Sequence, residues 1–442
     1  MQDSQAEMPN PRDAKGREKA LVFPNRHRLT FALVTVLFFL WGMSNNLTDI
    51  LVQQFRKSFE LSPFQAQLVQ TSVFLGYFFM AIPAALFMRK LGYKAGILAG
   101  LCLFGGGMLM FWPAAILGQY GWFLLALFMV GCGSATLETA ANPFIAQFGP
   151  SATSEQRLNF SQAFNPPGTI AGVLIGTYFI FSGIELSKDR VLAMKASGSY
   201  SVYLHTELLR VVPTYVVLGC VVLLWAVWIA FTKFPAIASE QVDSENQGSF
   251  VQLLHHRNLW LAIVAQFCYC GAQVSTWSAF IPYVKQYTFS TERTAGLFLT
   301  GSLVAMAAGR FLSTGLMSWF SPTKMIGVYA LINIALLSVG ILHPGMIGVW
   351  AILSTSFFMS IMFPTIFALG VKGLGPNTKI GGSVIVMSVI GAGIVPPLLG
   401  LIAKQTGSYA LGYTVTLSAY VVVALYGFLG SHAESNIKRL ES

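Results

Sequence analysis

Gly121 to Phe148 reads GWFLLALFMVGCGSATLETAANPFIAQF, a run whose single charged side chain is Glu138. At 1.5 Å per residue a helix of this length is about 42 Å long, more than the roughly 30 Å of hydrocarbon that a bilayer presents. The stretch therefore reads as a membrane-spanning helix, and its acid needs a reason. An ionisable group in such a helix costs about 2.5 to 3.5 kcal/mol on insertion scales and usually faces a bundle interior or a wet cavity.

The rest of the chain repeats the pattern. Of 442 residues 55% are hydrophobic and 10% charged, against about 25% charged in a soluble domain. Apolar runs divided by charged or Pro/Gly-rich breaks predict twelve helices, near 29–55, 63–88, 95–117, 121–148, 156–183, 209–232, 258–285, 294–319, 323–343, 346–371, 380–403 and 409–430. No room remains for a soluble domain. Residues 1–28 are polar and carry no apolar core with a cleavage site, so the first helix is expected to stay as an anchor.

An even number of spans puts both termini on one side. With the termini cytoplasmic, the inside segments hold 18 of the 27 basic residues, as the positive-inside rule requires. The net charge of +10 then reflects topology rather than nucleic-acid binding. Cys102, Cys132, Cys220, Cys268 and Cys270 all fall inside predicted helices, which argues for packing and against a disulfide framework. The sequon at Asn46 lies within a helix and is read as a false match.

The polar segment Lys233 to Arg257 splits the helices six and six. Expected units are a cytoplasmic tail 1–28, a six-helix bundle 29–233, a cytoplasmic linker 234–257, a second bundle 258–431 and a cytoplasmic tail 432–442. Three pairs of stretches match in order between the halves. Phe38-Phe39-Leu40-Trp41-Gly42 lies against Phe267-Cys268-Tyr269-Cys270-Gly271, the turn Arg89–Lys94 against Trp319–Lys324, and Pro143–Gly149 against Pro364–Gly370. Two parallel six-helix repeats make an all-α membrane protein of the major-facilitator arrangement, whose site lies near the midplane between halves. Gly301, Ala305 and Gly309 recur at the small-residue spacing of close helix packing. Gly391, Gly393, Pro396 and Pro397 should bend the eleventh helix.

Of 17 acidic residues only Asp49 and Glu138 fall inside predicted helices away from their ends. Desolvation favours the neutral acid, so each is a candidate for carrying a proton. The alternative is a structural ion pair, and the basic residue available for it is Arg310, which is equally suited to neutralising helix-end carbonyls. Polar side chains accompany the acids at helical spacing: Gly42, Asn45, Asn46, Asp49 and Gln53 on the first helix, Asn142 one turn from Glu138, and Gln162, Asn165 and Thr169 on the fifth. The seventh offers Gln266, Gln273, Trp277 and Tyr269. Amides both donate and accept, and the rings of Trp41, Tyr269, Trp277 and Phe363 suit an apolar C–H surface, so a sugar is the natural ligand. Each amide alone is equally read as interhelical glue, worth about 0.6 kcal/mol.

His27, His205, His255, His256, His343 and His432 lie in loops, tails or helix ends, and no Gly-rich phosphate loop is present. No catalytic or metal-binding constellation is expected, and no cofactor beyond a proton gradient.

Five stretches resemble the fucose/galactose/glucose:H+ symporters of the major facilitator superfamily: Asn45–Leu51, Leu137–Phe144, Ala163–Asn165, Ala265–Gln273 and Phe363–Phe367. The resemblance runs from about Leu29 to the last helix. It implies a proton-coupled importer of a hexose or deoxyhexose, with L-fucose first, acting by alternating access. It implies proton-coupling roles for Asp49 and Glu138 and sugar contacts for Asn46, Gln162 and Asn165, where glucose and galactose members often have Gln in place of Glu138. Asn142, Trp41, Tyr269, Gln273, Trp277 and Phe363 complete the expected sugar site, with Arg310, Pro143 and Pro364 as gating or structural residues. The expected setting is the inner membrane, with the bilayer, sugar and proton as partners and a monomer as the working unit.

Met362 and Phe363 stand where the fucose symporter has Gln-Tyr, Pro166-Pro167 replaces smaller or aromatic residues, and Arg89–Lys94 lacks the usual Asp. Glucose, galactose or N-acetylglucosamine therefore stay open as substrates, as does sodium coupling. A membrane sugar sensor is the reading outside transport.

Overall fold

The computed structural model describes residues 28–61, 63–180, 188–235, 250–290 and 292–440. The expected N-terminal tail and most of the linker lie outside these residues, as do side chains beyond Phe428. No strand occurs among the described residues.

The first half begins with α1 (Arg28–Ser58). The next helix, Pro63–Leu109, is folded over at Gly92, whose φ of 81° suits a residue without Cβ, so that it forms two spans, α2 (63–91) and α3 (93–109). A short helix, Phe111–Leu117, completes the expected third span. Then come α4 (Tyr120–Gln147), α5 in two pieces (Ser154–Gln162 and Asn165–Ile175, running into a π-turn Gly176–Ile180) and α6 (Val211–Phe231). The second half holds α7 (Arg257–Ser278), α8 (Glu292–Leu316), α9 (Pro322–Leu342), α10 (Met346–Met359 with Met362–Val371), α11 (Thr378–Met387 with Gly391–Thr406) and α12 (Thr414–Leu440).

Twelve spans thus stand where twelve were expected, but several are broken. Among the described residues nine helices are long and apolar enough to cross a membrane. Leu68–Leu117 counts there once although it folds back at Gly92, while α1 and α5 include positions whose side chains lie outside the described residues. The long loop between α5 and α6 contains two helices of its own, Lys188–Ala196 and Tyr200–Leu209, the second held to α1 by Gln54, whose Nε2 donates to the Glu207 carbonyl at 2.8 Å.

Each half has its own apolar core. Close backbone approach sets the packing in matching places of the two halves: a Cβ on Gly168 or Gly172 of α5 would meet the carbonyls of Phe39 and Met43 on α1, and one on Gly391 of α11 would meet that of Phe267 on α7. The α1–α5 and α7–α11 pairs correspond in the expected repeats.

The bundles join at the end that carries the Gly92 turn. There the core of the first bundle takes in Leu259, Phe367, Ile380 and Ile385 of the second. Lys379 of α11, 5% exposed, donates to the Met88 carbonyl of α2 at 3.0 Å, with its ammonium 4.8 Å from the Tyr93 ring centroid. Lys372 pairs with Glu155 at 2.9 Å, and Asn159 Nδ2 donates to Thr365 Oγ1 at 2.8 Å. All of these contacts fall in the halves of the helices nearest that turn, so the molecule is sealed at the Gly92 end.

Two outcomes follow from this packing. Gly168→Val should destabilise the α1–α5 contact by about 1 to 3 kcal/mol, the usual range for overpacking, read as a lower Tm in detergent; an unchanged Tm would mean that α1 yields freely. Lys379→Met should loosen the seal. In a background lacking the five native cysteines, Val371→Cys should then react with maleimide several-fold faster; an equal rate would remove Lys379 from the seal.

Candidate functional site

The acid of the opening stretch is held by glycine packing. Gly131 and Gly133 let α4 lie directly on the backbones of Val73 in α2 and Phe104 in α3, and every residue from Val130 to Ala146 is buried. Glu138 sits within this run at 3% exposure. Its carboxyl is hydrogen-bonded by the Tyr77 hydroxyl of α2, which also engages the Trp41 indole. Asn142, one turn along α4, lies beside the carboxyl, although its Nδ2 completes no well-formed bond among the described residues. Asn142 Oδ1 instead accepts from Gln162 Nε2 at 3.0 Å. Tyr77 therefore links Trp41 to Glu138, and Asn142, beside that acid, is bonded to Gln162.

Tyr77 was not among the residues singled out in the sequence. Its signal there is a phenol in the apolar stretch Val73–Met88, which is common and uninformative alone. The geometry shows why it matters: its hydroxyl gives the acid a donor where water is excluded.

Asn165 bonds elsewhere. Its Nδ2 donates to the Phe38 carbonyl at 3.2 Å and its backbone lies against Gly42, so in this conformation it ties α5 to α1. Thr169 Oγ1 reaches the Gly42 carbonyl at 3.4 Å in the same seam. The side chains of Asn46 and Asp49 lie outside the described residues, with a helical backbone through both.

The second bundle presents a different chemistry. Tyr269 and Phe363 meet edge to face with centroids 6.3 Å apart. Trp277 Nε1 donates to Ser356 Oγ at 3.2 Å, and Gln273 is half-buried with Nε2 3.6 Å from Met306 Sδ. Cys270 of α7 lies within electrostatic reach of Glu138 across the seam. The Tyr269 hydroxyl and Gln266 Oε1 are buried without a hydrogen-bond partner among the described residues.

Between the two sets stands Arg310 of α8, 2% exposed. Its Nε donates to the Ser360 carbonyl at 2.6 Å and its Nη1 to the Gln162 carbonyl at 2.9 Å, one in each bundle. A surface cleft of about 400 Å³ lies away from all of this, lined by Leu29, Thr30, Trp228, Phe231, Thr232 and Lys233, and holds none of the expected site residues. Among the described residues no group of three His, Cys, Asp or Glu is placed to hold a metal.

Two six-helix bundles sealed at one end, with a buried acid beside the seam and an arginine bridging it, define a membrane transporter of the rocking-bundle kind. The chain belongs to the Major Facilitator Superfamily, whose sequence model matches residues 33–396. It is 40% identical over 426 residues to the L-fucose-proton symporter of Escherichia coli (strain K12), covering 95% of this chain and 96% of that one. It is 31% identical to the glucose/galactose transporter of Brucella abortus (strain 2308), over 91% of this chain and 94% of the relative. The crystal structure of the major facilitator transporter FucP in the outward conformation superposes with a TM-score of 0.85 at 40% identity, over 91% of this chain and 99% of that chain. The fold and these relatives are those of transporters, not enzymes.

Proposed function

We propose that this protein is a proton-coupled sugar importer, with L-fucose as its first substrate, working by alternating access. The observation that carries the reading is Glu138: an acid buried in α4, given a hydroxyl by Tyr77 and an amide neighbour that is itself bonded to Gln162. The likeness to an L-fucose-proton symporter over nearly the whole chain supports the same substrate class.

In this reading Glu138 and Asp49 carry the proton. Asn46, Asn142, Gln162 and Asn165 bind sugar hydroxyls from the first bundle, while Trp41 and, across the seam, Tyr269, Trp277 and Phe363 cover its C–H faces beside Gln273. Arg310, Pro143 and Pro364 shape the gate. Both termini and the Gly92 end face the cytoplasm of the inner membrane, so the sealed end is the inner one, in keeping with the outward conformation of the similar crystal structure. Domain limits follow the bundles, 29–233 and 258–431, joined by the linker 234–257 and flanked by the tails 1–28 and 432–442. The proton gradient is the only energy source, no cofactor takes part, and one chain is the working unit.

A carboxylate facing an apolar seam resists its closure, and protonation removes that resistance. A proton moving down 100 mV carries about 2.3 kcal/mol, enough to concentrate a sugar roughly 50-fold. Glu138→Gln fixes the neutral form: in proteoliposomes it should keep L-fucose counterflow yet lose uphill accumulation, with the ratio falling from tens towards about one. Continued accumulation by the variant would refute the coupling role. Asp49→Asn is expected to lose the pH dependence of uptake, and unchanged uptake in sodium-free buffer would dispose of sodium as the coupling ion. Competition of unlabelled L-fucose, galactose, glucose and N-acetylglucosamine against labelled L-fucose ranks the substrate; stronger displacement by another sugar would reassign it.

A further inference from the structure

Arg310 bonds to two carbonyls that share an unusual origin. In a helix the carbonyl of residue i accepts from the N–H of residue i+4. For Gln162 that donor position is Pro166, and for Ser360 it is Pro364; neither proline has an N–H. Both helices break there, α5 between Gln162 and Asn165 and α10 between Met359 and Met362. The guanidinium of Arg310 supplies the two missing donors at once, Nε to Ser360 and Nη1 to Gln162. Its fork of fixed N–H groups suits this double role in a way that an ammonium does not.

The two bonds differ in what they join. Ser360 lies in the same bundle as Arg310, so that bond can survive a rocking motion. Gln162 lies in the opposite bundle, so its bond must break whenever the Gly92 end opens. The same residue also bonds Asn142 through its side chain, next to Glu138. Released Nη1 has an acceptor nearby on its own side, the Tyr269 hydroxyl, which lies within electrostatic reach of the guanidinium and is otherwise without a bond among the described residues.

We propose that Arg310 is a positioning residue that holds the Gly92 end closed by donating to the Gln162 carbonyl freed by Pro166, and that Pro166 is the built-in reason this contact forms and breaks with the transport cycle. The proposal rests on the alternating-access reading above and extends it by naming the pair whose bond sets the balance between closed and open. Gln162 is the point where gate and proton site meet, its backbone held by Arg310 and its amide held beside Glu138.

The test reads bundle separation alone, through maleimide labelling of Val371→Cys in the background lacking native cysteines, without sugar or a proton gradient. Failure of the substrate or coupling assignment therefore leaves it intact. Arg310→Met should raise the labelling rate about tenfold, within the usual span of coupling between sites. Pro166→Ala restores an N–H to the Gln162 carbonyl while keeping Arg310, and should raise the rate several-fold because opening no longer strands that carbonyl. Pro364→Ala, acting on the bond within one bundle, should change it less. In the double variant Pro166→Ala/Arg310→Met the two effects should fall well short of their product. Equal rates for Pro166→Ala and its parent, or a double variant whose effects multiply in full, would overturn the proposal; should Arg310→Met fail to fold, the comparison of Pro166→Ala with Pro364→Ala decides alone.

Discussion

A backbone carbonyl without a donor inside hydrocarbon costs several kcal/mol, and much of this structure answers that cost. The answer is given by cations. Lys94 donates to the carbonyls of Ala230 and Thr232 at the end of α6, Arg157 to those of Ile145, Ala146 and Pro150 where α4 ends, and Lys379 to that of Met88 near the end of α2. Helix C-termini carry partial negative charge, so a lysine or arginine there gains both a hydrogen bond and a favourable field. These helices all end at the Gly92 side. The surplus of 27 basic over 17 acidic residues is thus partly structural: the bias that orients a membrane protein also caps the helices that stop on its basic face.

Arg310 extends the same device into the middle of the molecule. Its carbonyls are set free by prolines rather than by helix ends, and they belong to different bundles. A donor shared between two bodies makes the seam cohesive without apolar glue alone, which suits a surface that must open. The turn Arg89–Lys94 fits this pattern too, since its Tyr93 ring lies under the Lys379 ammonium. Closure at this end therefore depends on cation-to-carbonyl bonds, with Glu155 and Lys372 forming an ion pair beside them.

The helix count was legible because hydrocarbon thickness imposes a minimum length on each span. The polar face of α1, with Asp49, and the amides of α5 were legible from their helical spacing. The breaks in α5 and α10 were half legible: Pro166 and Pro364 mark them, but that one arginine would serve both requires three-dimensional proximity between residues some 150 and 50 positions distant, the separations of its two bonds being 148 and 50. The helices Lys188–Ala196 and Tyr200–Leu209 escaped notice because mixed charge and short length resemble a loop. Tyr77 escaped because its neighbours at helical spacing, Val73, Phe74, Met80 and Ala81, include no acid or amide to single it out.

The two faces of the seam divide the chemistry unevenly, and this bears on what the site can hold. The first bundle offers Glu138, Asn142 and Gln162, already bonded to one another or to Tyr77. The second offers rings and sulfur: Tyr269 against Phe363, Trp277, and Gln273 beside Met306. Met362 is fully buried in its own core and Phe363 packs on Tyr269, so no amide or hydroxyl is presented from that pair. The polar groups of the second face are the Tyr269 hydroxyl and the amides of Gln266 and Gln273. In the proposed reading the two walls therefore divide the work of holding a sugar, with an acid and paired amides on one side and, on the other, rings with polar atoms unpaired among the described residues.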